Sequence, residues 1–147
     1  MVQQTVNNNK HAAIISEVAG LISAMAFDPK YSAPFQSREL SEKTSMLTNK
    51  EIHTAAIKAF EDIISYAPYE YGIFKGSGVA VESAVKIAKR YGLKDEEIHK
   101  PAINGFISQV AENSFELATS IEKNFKLTTE EVHSAVIKAF EKRNCRW

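Results

Sequence analysis

Leu47-Thr48-Asn49-Lys50-Glu51-Ile52-His53-Thr54-Ala55-Ala56-Ile57-Lys58-Ala59-Phe60 is the stretch that decides the fold of this chain. Thr48-x-x-Glu51 is a capping box, in which the hydroxyl and the carboxylate each satisfy a backbone amide left unbonded at a helix start. From there Ile52, Ala56, Ala59, Phe60 and Ile63 fall at i, i+4, i+7, i+8 and i+11, the apolar stripe of a packed amphipathic helix. A helix that begins at Thr48 and is buried along one side is therefore predicted.

The pattern returns at 93–106 and 127–140, and a worn copy, Lys10-His11-Ala12-Ala13-Ile14-Ile15-Ser16-Glu17-Val18, keeps the histidine and the aliphatic spacing. The chain's four histidines, His11, His53, His99 and His133, thus share one register. Each is followed four residues later by Ile15, Ile57, Ile103 or Ile137, and seven later by Val18, Phe60, Phe106 or Phe140. Thr128-x-x-Glu131 is a second capping box, and Asp95 is the expected cap where Lys94 stands in place of threonine. Ala59, Gly105 and Ala139 recur where a neighbouring helix could approach closely. Shorter stripes lie upstream: Val81, Ala84, Ile87 and Tyr91 in one copy, Phe115, Ala118, Ile121 and Phe125 in another. A third short helix is predicted over 35–46, with Arg38 and Ser41 interrupting its apolar face.

Helical hairpins of this kind cannot each close a core, so they stack and are stabilised by their neighbours. The predicted fold class is all-α: a short right-handed α-solenoid of about three helical hairpins plus an N-terminal helix. One domain is expected over 1–147, with a degenerate helix at 10–27 and units at about 35–66, 79–112 and 114–143. Phe60, Phe106 and Phe140 are the expected core anchors. Arg143 and Asn144, standing where the earlier copy has Ile63 and Ile64, predict a polar last helix that caps the array.

The arrangement resembles the tetratricopeptide class of helical-hairpin repeats. His99 and His133 are 34 residues apart, the period of that class, and Ala56-x-x-x-Phe60 and Ala102-x-x-x-Phe106 are similar to its second-helix signature. Pro68 stands where that class ends a repeat, and Tyr71-Gly72-Ile73-Phe74-Lys75-Gly76-Ser77-Gly78-Val79 is similar to the turn of Sel-like repeats. The tryptophan, Leu-Gly and tyrosine pattern of the first helix is absent. The resemblance covers roughly residues 35–143 and implies protein binding.

Composition narrows the function classes. Eighteen basic and 18 acidic side chains balance, and no basic stripe recurs from copy to copy, which argues against nucleic acid. The lone Cys145 cannot form an intramolecular disulfide. Lys10, the apolar run after it and Ala24-Met25-Ala26 imitate a signal peptide, but Glu17 interrupts the run and the repeat register explains it. A cytoplasmic protein with no membrane partner is expected, with secretion by a non-classical route left open.

The registered histidines suggest a metal at first sight. Equivalent positions on stacked helices lie about 8–10 Å apart, however, whereas zinc ligands must each reach the ion at about 2.0–2.1 Å. Rings packed between repeats, donating to a backbone or carboxylate oxygen, are expected instead, with no metal and no cofactor. Glu96 and Glu130, three residues before His99 and His133, read as local surface pairs. Lys75-Gly76-Ser77-Gly78-Val79 lacks the full phosphate-loop spacing and reads as a turn. No nucleophile motif is present, so no catalytic residue is assigned and an enzyme is disfavoured.

The irregular spacing carries the functional expectation. Forty-two and 46 residues separate the first three histidines, and the extra length falls around 27–35 and 66–74. These stretches hold Phe27, Tyr31, Phe35, Tyr66, Tyr69, Tyr71 and Phe74, half of the chain's aromatic residues; tyrosine is enriched at binding surfaces, and rings of this kind equally serve to cover the core beneath a long loop. The expected function is an interaction module or adaptor that binds a protein or peptide through these seven residues. The alternative is a small-ligand or enzymatic protein with its pocket at the same loops.

Overall fold

The computed structural model describes the backbone of residues 2–27, 34–70 and 77–144, and the side chains within 10–26, 37–65 and 79–144. The described residues form seven helices: α1 (Val2–Phe27), α2 (Pro34–Thr44), α3 (Asn49–Glu70), α4 (Ser77–Arg90), α5 (Asp95–Ala111), α6 (Phe115–Asn124) and α7 (Thr129–Asn144). The chain is all-α in these residues, with no strand among them. No described helix is long and apolar enough to cross a membrane.

Local chemistry sets the helix ends. Both capping boxes form: Thr48 N–H donates to Glu51 Oε1 at 2.9 Å and Glu51 N–H to Thr48 Oγ1 at 3.2 Å, and Thr128 and Glu131 repeat the pair at the same distances. Asp95 is not a cap. Lys94 occupies the cap position without a side-chain hydrogen bond, and Asp95, Glu96 and Glu97 fill the first turn of α5, where carboxylates favour the positive end of the helix dipole. At the other ends, Gly92, Asn113 and Lys126 take positive φ (62°, 63° and 55°). The following amides reach back five residues, Leu93 to Ala88, Ser114 to Gln109 and Leu127 to Glu122, as Schellman turns do. That gives Leu93 and Leu127 their place ahead of each repeat: each is the buried residue that closes the turn.

Helices α1, α3, α5 and α7 pack each upon the next. Each of the first three also packs against the short helix that follows it, α1 with α2, α3 with α4, α5 with α6, and α4 touches both α1 and α6. The pairs that pack closely are therefore a long helix and its successor, rather than a short helix and the long one after it. Ser23 Oγ donates to the Ala59 carbonyl at 3.4 Å across α1 and α3, and Ser83 Oγ to the Ala26 carbonyl at 3.1 Å across α4 and α1.

The core follows the predicted stripes at most positions. Val18, Ala56, Ala59, Phe60, Ile63, Val81, Ala84, Ile87, Phe106, Ala118 and Ile121 are buried, and Phe60 meets Phe125 edge to face at 5.0 Å between ring centroids. Phe115, by contrast, is exposed, and Leu117 takes the buried place in α6. Phe140 is exposed as well and is not a core anchor, because no further long helix covers that side of α7 among the described residues. Nor is α7 a polar cap: its outer face shows Ile137 and Phe140, 60% and 52% exposed.

Gly105 makes room for a side chain of α3. A Cβ there would lie 2.5 Å from Cδ1 and Cγ1 of the fully buried Ile64. Four residues further along α5, Gln109 Nε2 donates to the carbonyls of Ile64 and Ser65 at 2.6 and 3.0 Å. Pro68 lies inside α3 and has no N–H, which leaves the Ile64 carbonyl without its helical partner. The Gln109 amide from the neighbouring helix supplies it.

Candidate interaction surfaces

The repeated histidine joins one long helix to the next. His11 Nδ1 on α1 donates to Glu51 Oε2 on α3 at 2.7 Å, His53 Nε2 on α3 pairs with Glu97 Oε2 on α5, and His99 Nε2 on α5 pairs with Glu131 Oε2 on α7. The acceptor is always the glutamate two residues before the next histidine. Glu96 and Glu130 do not fill this place, since the partner of His99 lies on the next helix rather than one turn back on its own. Two of the acceptors also serve a capping box, and both are held below the usual carboxylate range. For Glu51 the Thr48 amide is the leading cause, followed by His11; for Glu131 it is the Thr128 amide and hydroxyl, then His99.

Below each rung the two helices carry a recurring pair of sequence patterns. One helix offers a projecting face, His-x-x-x-Ile-x-x-Phe in the later copies and His11, Ile15 and Val18 in the first. The next offers a receiving face of glutamate followed by small or ring-closed residues at i+4 and i+8: Glu51-Ala55-Ala59, Glu97-Pro101-Gly105 and Glu131-Ala135-Ala139. All six residues after the glutamates are buried, as close helix approach demands. Asn104 Nδ2 adds a bond to Glu61 Oε1 at 3.2 Å on the same interface. The glutamates were visible in the sequence as the repeated Glu-Ile or Glu-Val pair, but their partner is 32 to 44 residues away and only stacking brings the two together.

A second surface lies between the short helices. α4 packs on α6, yet α2 packs on α1 and stands off α4, leaving an open groove of about 570 Å³. Ile22, Met25 and Ala26 of α1 form its floor; Leu40 of α2 and Ile87 and Tyr91 of α4 form its walls. Lys86, Lys89 and Arg90 stand along the α4 side, and the Arg90 guanidinium lies 5.8 Å from the Tyr91 ring centroid. Burial pushes the Tyr91 phenol up from its ordinary pKa, only partly opposed by Arg90. α2 is tied to α1 by Leu40 and by Lys43, whose ammonium meets Glu17 at 2.6 Å and Glu39 at 3.1 Å.

Of the seven aromatic residues expected to bind a partner, Tyr31, Tyr71 and Phe74 lie outside the described residues. Phe27 ends α1, Phe35 is in the first turn of α2, and Tyr66 and Tyr69 are in the last turns of α3; their side chains too lie outside the described residues. Much of the second extension is thus a longer α3 rather than a loop. Among the described residues no three His, Cys, Asp or Glu side chains are grouped to hold a metal ion. No protein-family model, curated protein or solved structure matches the chain.

Proposed function

We propose that the chain is a short right-handed α-solenoid acting as a protein-binding adaptor, and that the groove between α2 and α4 takes an acidic amphipathic helix from a partner. One observation carries this reading: an apolar lining of Ile22, Met25, Leu40 and Ile87 bordered by three cations, Lys86, Lys89 and Arg90, with no carboxylate among the described residues that line it. A helix that lays apolar residues at i, i+3, i+4 and i+7 into such a groove, with Asp or Glu on the flank, satisfies both halves of it. The aromatic stretches fit the same reading. The one carrying Phe27, Tyr31 and Phe35 joins the two helices α1 and α2 that border the groove, and the one carrying Tyr66, Tyr69, Tyr71 and Phe74 leads into α4.

The groove's volume also suits a small amphipathic anion. Selection from a library of helical peptides separates the two. A peptide site yields a consensus of spaced apolar residues flanked by acid, and the double variant Lys86→Glu, Lys89→Glu loses at least about tenfold in affinity with an unchanged melting temperature. A consensus without acid, or affinity untouched in the double variant, removes the groove as the peptide site.

A further inference from the structure

The projecting face occurs four times and is covered three times. His11, His53 and His99 each bond a glutamate of the next long helix, Val18, Phe60 and Phe106 are buried, and Ile15, Ile57 and Ile103 are half-buried against the core. The fourth, His133, Ile137 and Phe140 on α7, has the same spacing and points away from the molecule. The helix geometry places it opposite Ala135 and Ala139, the two residues that α7 buries against α5. Ile137 and Phe140 are largely exposed, and the His133 side chain has no hydrogen bond or ion pair among the described residues.

The interior interfaces define what would cover such a face: a helix whose glutamate accepts from the histidine and whose residues at i+4 and i+8 are small or ring-closed and buried. All three helices that carry this receiver within the chain already use it. The equivalent positions on α1, two before and two and six after His11, are Asn9, Ala13 and Glu17, so the first helix offers no acceptor carboxylate at the rung and a charged side chain where a small residue belongs. Glu17 is moreover engaged by Lys43. A head-to-tail second copy therefore lacks the matching face.

We propose that the outer face of α7 is a docking site for a helix of another protein carrying Glu-x-x-x-small-x-x-x-small, where small is Ala, Gly or Ser, packed in the direction that α5 takes on α3. The His133 ring donates to the partner's glutamate, and Ile137 and Phe140 pack over its small residues. The assignment is independent of the α2/α4 groove, because the two surfaces share no residue.

The test uses the full chain and a stapled peptide of residues 127–144 whose own His133, Ile137 and Phe140 are replaced by serine, so that it offers only the receiving face Glu131-Ala135-Ala139. Its helicity is established first by circular dichroism. Fluorescence anisotropy is expected to show saturable binding, weakened at least about tenfold by Glu131→Lys in the peptide and by Ile137→Ser or Phe140→Ser in the chain. Both chain variants keep the parental melting temperature, since both side chains are exposed. Absence of binding up to ~1 mM helical peptide, or binding indifferent to these changes, overturns the proposal. So does sedimentation of the chain alone as a dimer that Ile137→Ser dissociates, which would make a second copy the occupant.

Discussion

Gly105 and Gln109 show how single positions hold α5 against α3. Alanine at 105 gains helix propensity of about 1 kcal/mol, yet its Cβ would lie 2.5 Å from two side-chain atoms of the fully buried Ile64, which must shift to admit it. Gly105→Ala is expected to destabilise the protein by roughly 1–3 kcal/mol on thermal or urea melting, and Ile64→Ala in the same chain should remove the clash so that the two changes are strongly non-additive. Gln109→Leu keeps the volume but leaves the Ile64 carbonyl buried without a donor, a loss on the order of 1–3 kcal/mol. Gly105 was legible in the sequence as one of three recurring small residues. Gln109 was not, because its role depends on a proline that stands on a different helix. Lys126 offers the opposite case: a residue with a Cβ at φ 55° where glycine is at ease. Lys126→Gly is expected to raise stability by about 0.5–1 kcal/mol, and a lowered melting temperature would mean the lysine side chain contributes more than the backbone costs.

At the scale of the helix, capping and stacking use the same carboxylates. Glu51 and Glu131 each accept from their own capping threonine amide and from the histidine of the helix before. Because their folded pKa values lie below the usual carboxylate range, each contributes stability that is fully present above that range and is lost as pH falls through it toward the depressed folded value. Urea melts between about pH 7 and about pH 3 should therefore show a decline that is shallower in Glu51→Gln and Glu131→Gln, whose stability at pH 7 is already reduced. A decline of equal steepness in both variants would locate the acid sensitivity in other carboxylates. The boxes themselves were readable from Thr-x-x-Glu spacing, and so were the long-helix stripes. The middle copy misled: Asp95 has the chemistry of a cap, but Lys94 takes the extended backbone of the cap position and Asp95 is already helical. Phe115 misled for a related reason, since it is the first residue of α6, ahead of the turn where α6 meets α4 and α5.

For the molecule as a whole, periodicity identified an all-helical chain and the histidine register, while the pairing of elements and the solvent side of α7 came only from packing. A stripe records which residues are apolar on one face; it does not say whether a neighbour exists to cover them. Phe60 and Phe140 are equivalent in sequence and opposite in environment. Phe60→Ala should cost about 3–5 kcal/mol and Phe140→Ala little, a contrast that paired melting curves measure directly. Covering on one side only also bears on motion. α7 rests chiefly on α5, buries Ala135 and Ala139, and half-buries Val132 and Val136, so little apolar area opposes its release. Its amides should exchange with solvent through local opening at free energies well below that of global unfolding, whereas those of α3, enclosed by α1, α4 and α5, should exchange only when the whole chain unfolds. A ligand seated on the outer face would close that gap, making the slowed exchange of α7 a signature of occupancy that needs no knowledge of who the occupant is.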